Sequence, residues 1–148
     1  MTDYILQRDD GWTCALIALS NALRFCGLPS PQPGNQEWEQ LRILGACNSG
    51  PCIRMEDLCK RLGLIMIPTS PEEVWDDPPG MLTVKNPSRK GSSLHGVLAI
   101  GRKGDNIILV NYNWDEGPVV ESILYPPPMH AVGNINRRAW KIRLASSI

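Results

Sequence analysis

The stretch "LHGVLAIGRKGDNIILVNYNW" (94–114) decides how this chain folds. Two apolar runs of matched length, 95–101 and 106–112, flank the polar "RKGD", the pattern of an antiparallel hairpin with a short loop. Folding the second run back on the first brings Asn111 beside His95. Runs of similar character at 81–85, 119–124 and 139–144 extend the pairing into an antiparallel meander, and "LIMIP" (64–68) is a short strand ahead of them. "PEEVWDDPPG" and "YPPPMHAVGNINRR" read as irregular connections, because proline and glycine break both ladder and helix.

Upstream the period changes. "CALIALSNALRFC" (14–26) is apolar nearly all round and is followed by Gly27, Pro29 and Pro31, which predicts a buried helix with a glycine stop and a proline exit. Thr13 is placed to cap it, which puts Cys14 in its first turn. Trp38, Leu41 and Leu44 recur at helical spacing in "QEWEQLRIL" (36–44). Met55, Leu58, Cys59 and Leu62 do so in "IRMEDLCKRLG", which Gly63 closes. Helices first and strands afterwards give an α+β class, with a helical half of about 1–63 and a sheet half of about 64–148 in one domain spanning 1–148.

With 148 residues, 43% of them apolar, the chain can bury a core without metal or disulfide staples. Fifteen basic residues balance fifteen acidic ones, so a general nucleic-acid or anionic-membrane binder, which needs a basic excess, is not expected. The cluster Arg137, Arg138, Lys141 and Arg143 reads as a solvated strand face. "MTDYILQRDDGW" is too polar for a signal peptide, and no apolar run approaches the roughly 18 residues of a membrane span. A cytoplasmic protein with reduced thiols is expected, since the five cysteines are odd in number. Cys47, Cys52 and Cys59 match no common zinc spacing and read as small packing residues.

Four residues could carry chemistry. A cysteine at a helix start feels the positive end of the helix dipole, which favours the nucleophilic thiolate, so Cys14 is the first. His95 stands where a loop enters an apolar strand and is the better of the two histidines for a general base, since His130 lies in the proline-rich loop. Asn111 could accept the His95 Nδ1–H through its amide oxygen, with Asn113 and Asp115 as rivals for that role. A Gln7 amide and the Cys14 backbone N–H could together hold an oxyanion. Taken singly, three of them have plainer roles, a core thiol, a core histidine and a turn former, and Gln7 alone carries almost no signal. Their order along the chain is the restrictive feature.

That order resembles the papain-like cysteine peptidases. "LHGVLAIG…ILVNYNW" is similar to their histidine strand and their Asn-x-Trp strand, with Trp114 near the place of the tryptophan that shields the pair. "CALIALSNALRFCG" and "GPCIRMEDLCKRLGL" look more like the compact branch that processes bacteriocin leaders. The Gln–Cys spacing is one residue longer than that family's, and Ala15 follows the cysteine. The resemblance implies a papain-like fold with the cysteine helix packed on an antiparallel sheet. It further implies hydrolysis of a peptide or isopeptide bond through Cys14, His95 and Asn111, with Gln7 at the oxyanion. No cofactor is implied, and the partner is a peptide or protein substrate. Transfer of the acyl group to an amine, or binding without turnover, are the alternatives. Oligomeric state is not legible.

Overall fold

The computed structural model describes residues 2–6, 14–45, 55–85, 94–112, 117–124 and 139–147. Helices α1 (Cys14–Phe25), α2 (Gln36–Gly45) and α3 (Met55–Leu62) come first. Strand β1 (Leu64–Thr69), helix α4 (Pro71–Asp76), and strands β2 (Gly80–Lys85), β3 (Leu94–Lys103), β4 (Asn106–Val110), β5 (Val120–Leu124) and β6 (Ala139–Leu144) follow, with a closing 3₁₀ turn at Ala145–Ser147.

The chain is α+β, built on a six-stranded antiparallel sheet of order β1-β6-β2-β3-β4-β5. The meander expected from the sequence holds from β2 to β5 but not beyond: β6 does not continue beside β5 and instead pairs with β1 and β2. Since β6 is antiparallel to both β1 and β2, those two run parallel, and parallel neighbours need a crossover rather than a hairpin. Helix α4 makes that crossover, leaving a gap one strand wide that β6 fills.

Residues 71–76 are therefore a helix and not the irregular connection that their prolines suggested. Ser70 caps it, accepting the Glu73 N–H at 3.4 Å, and Pro71 occupies the first turn, where no N–H is needed. Arg143 fastens the end of α4 to the sheet. Its Nη1 donates to Pro79 O at 2.9 Å, and its Nη2 donates to Asp77 O at 2.8 Å and pairs with the Asp77 carboxylate at 3.0 Å. Lys141, first, and Arg143 hold the Asp77 carboxyl below its ordinary range. These two basic residues are thus matched by acidic neighbours; Arg137 and Arg138 lie outside the described residues.

Successive side chains of a strand point to opposite faces, and the core divides accordingly. Met81, Leu98, Val110 and Ile142 pack under α1, α2 and α3. Leu82, Val97, Ala99, Ile107, Leu109 and Ala139 pack on the other face with Val74 and Trp75 of α4. Helices thus cover both faces of the sheet, where the sequence pattern had placed them all before it. No helix among the described residues is long and apolar enough to cross a membrane.

Helix α1 is as enclosed as its composition requires: Leu16 through Leu23 are all buried. It ends on Gly27, at φ +74, with Leu28 N–H bonded to Leu23 O at 2.9 Å and Gly27 N–H to Arg24 O at 3.0 Å. That pair of bonds is a Schellman closure, which a glycine accepts without strain. Before α1, the segment 2–6 lies against it. Asn21 accepts from the Ile5 N–H at 2.8 Å and donates to the Ile5 carbonyl at 3.0 Å.

Candidate active site

Cys14 is the first residue of α1 and is partly exposed. Its sulfur therefore sits at the helix end that carries unpaired backbone N–H groups and positive dipole, the place a thiolate prefers. Thr13, read as the cap, lies outside the described residues. Helix α1 packs on β3, and the sulfur reaches that strand at its start. A β-carbon built on Gly96 would stand 3.8 Å from Cys14 Sγ and 3.3 Å from Met81 Sδ. A β-carbon there would already touch both sulfurs, so a side chain larger than a methyl would crowd this approach, and the glycine directly follows His95.

His95 is the second residue of β3 and is 2% exposed. Its Nε2 lies 2.5 Å from the backbone oxygen of Asn111. A carbonyl oxygen only accepts, so Nε2 carries a hydrogen and donates it. The expected pairing of His95 and Asn111 is present, but with different atoms. The ring nitrogen is Nε2 rather than Nδ1, and the acceptor is the main chain rather than the side-chain amide.

The cause is local. Strand β4 ends at Val110, two residues earlier than the apolar run predicted, because Asn111 adopts a left-handed backbone, φ +64. Asparagine tolerates that region better than most residues. Nothing in the residue order announces it, since an Asn at the end of an apolar run fits a turn of any type.

The remaining sequence candidates separate. Gln7, proposed at the oxyanion, lies outside the described residues, as do Asn113, Trp114, Asp115 and His130. Cys26 is exposed at the far end of α1. Burial pushes the Cys59 thiol up to about 11, with Glu56 adding to the effect, which keeps it protonated and inert. Cys47 and Cys52 lie outside the described residues. Among the described residues no three His, Cys, Asp or Glu side chains gather as metal ligands.

Met81 was not anticipated as a neighbour of the site; its place follows from pairing, since β2 carries Leu82 opposite Val97 and Thr83 opposite Gly96. Tyr112, buried beside Asn111, has its phenol pushed up first by burial and then by Glu121, whose own carboxyl is raised by burial.

No known family model matches this chain, and no curated protein matches it.

Proposed function

We propose that this chain is a papain-like cysteine peptidase in which Cys14 is the nucleophile and His95 the general base. One observation carries the reading: the Cys14 sulfur meets β3 at Gly96, next to a histidine whose Nε2–H is already committed to a carbonyl. That commitment sets the tautomer and leaves Nδ1 as the basic nitrogen for the thiol.

Nδ1 takes the thiol proton, giving a thiolate–imidazolium pair. The thiolate attacks the carbonyl carbon of a peptide or isopeptide bond, forming a C–S bond as the carbonyl π pair moves to oxygen. The Cys14 N–H, at the helix start, holds that oxyanion, with the Gln7 amide as second donor. The His95 imidazolium protonates the leaving amine as the C–N bond breaks. Water, deprotonated by His95, then attacks the thioester, and collapse of that intermediate returns Cys14 and a carboxylic acid. Free thiols suit a reducing compartment, so we place the activity in the cytoplasm.

Iodoacetamide labelling across pH, read by peptide mass spectrometry, tests this reading. Cys14 is expected to react below pH 8 and faster than exposed Cys26, and His95→Ala to move that reactivity up into the ordinary thiol range. Labelling of Cys14 no faster than Cys26 at every pH would refute the catalytic role and leave binding without turnover. Adding a primary amine during peptide cleavage separates hydrolysis from acyl transfer, since only a transferase yields a new amide.

A further inference from the structure

We propose that His95 is oriented by the main chain of Asn111, and that residue 111 is a positioning residue because of the backbone conformation it accepts rather than the amide it carries. This deepens the peptidase reading and rests on it for its catalytic meaning.

In a regular antiparallel strand, one residue's N–H and C=O point to the same neighbouring strand and exchange both bonds with the same partner. Asn111 breaks this rule. Its N–H goes to Val119 O at 2.8 Å, on the β5 side, as continued pairing of β4 requires. Its C=O goes instead to His95 Nε2 at 2.5 Å, on the β3 side. The left-handed backbone at φ +64 is what separates the two groups. Among the described residues Asn111 is the only non-glycine with positive φ. One residue thus ties β5 to β3 through its own peptide groups, and both His95 and Asn111 are buried, which shields the bond from water.

An extended backbone at 111 would return the carbonyl to β5 and leave the imidazole without its acceptor. The requirement on residue type is therefore tolerance of the left-handed region. Glycine meets it freely and a β-branched residue meets it worst.

Three variants test this: Asn111→Gly, Asn111→Val, and Asn111→Ala as a milder second in case the valine variant does not fold. The direct readout is the His95 Nε2–H proton in spectra of the full chain labelled with 15N-histidine, assigned by His95→Gln. It needs no turnover. The proton is expected to persist, slowly exchanging, in the wild type and in Asn111→Gly, and to exchange at least about tenfold faster in Asn111→Val and Asn111→Ala. Peptide cleavage should follow the same order, with Asn111→Gly losing less than about threefold and Asn111→Val more than about tenfold. If glycine loses the proton as valine does, the side-chain amide is the orienter and the proposal is overturned. If all three variants keep it, the backbone conformation is not required and the proposal is likewise overturned. Iodoacetamide labelling of wild-type Cys14 separates this from the peptidase reading: a flat pH profile with the glycine–valine contrast intact would sink the peptidase alone.

Discussion

The Cys14 sulfur lies 3.8 Å from the position a β-carbon on Gly96 would take, and Met81 Sδ lies 3.3 Å from the same point. The first distance is ordinary van der Waals contact; the second is tight but involves the flexible end of a methionine. Gly96→Ala is thus expected to fold with a loss of only about 1 kcal/mol. Gly96→Leu has no such room. It should slow iodoacetamide labelling of Cys14 by more than about tenfold, because the new side chain covers the sulfur. Equal labelling of both variants would mean that the sulfur is reached from another side.

Gly80 is a glycine of a different kind. A β-carbon there would meet Val74 Cγ1 at 2.5 Å and the Trp140 carbonyl at 2.6 Å. Neither yields: valine is stiff at χ1, and the carbonyl belongs to β6. Gly80→Ala should cost about 3 kcal/mol, read as a fall in urea midpoint at constant m. Gly104→Ala, in the β3–β4 turn at φ +61 with open space around it, should cost about 1 kcal/mol from backbone strain alone.

Asn21 holds Ile5 by both ends of its amide, at 2.8 and 3.0 Å, and is fully buried. Replacing it with alanine leaves a buried N–H and a buried C=O without partners. The expected loss is about 2–4 kcal/mol, or roughly 6–15 °C in melting temperature. Asn21→Asp keeps the acceptor, and near pH 4, where the acid can be neutral, its O–H can stand in for the amide donor, so it should lie between alanine and wild type there and fall towards alanine as the acid ionises. A melting temperature within a degree of wild type for Asn21→Ala would show that the clamp contributes nothing.

Burial raises the Cys59 thiol from an ordinary 9.0 to about 11. A raised pKa means that the folded state holds its proton more tightly than the unfolded chain does. That contribution is whole below pH 9 and is lost as pH climbs from 9 to about 11. Unfolding free energy should fall by about 2–3 kcal/mol over this interval, steepened at its upper end by Tyr4 and Tyr112, whose phenols are also raised. Cys59→Ala should flatten the part of the slope nearest pH 9. A free energy independent of pH from 8 to 11 would contradict the burial.

Local order predicted local structure well. Helix α1 matched its apolar composition and its Gly27 stop, since both the periodicity and the left-handed closure are settled within a few residues. The strands fell close to their apolar runs for the same reason. Helix α4 was legible in principle from Ser70, Pro71 and Glu73, a cap with its reciprocal acid, but the later prolines outweighed that signal.

From the sequence by itself came the element types other than α4, the early cysteine helix, and the pairing of the His95 strand with the run that ends at Asn111. Those depend on side-chain periodicity and turn chemistry, which neighbouring residues fix. Tertiary structure alone decided that β6 enters between β1 and β2, and that helices close both faces of the sheet. It alone brought the Cys14 sulfur to Gly96 and gave His95 a backbone carbonyl as its partner. These depend on which surfaces remain to be buried once the strands have paired, and on a single backbone dihedral at residue 111, quantities that residue order constrains but does not specify.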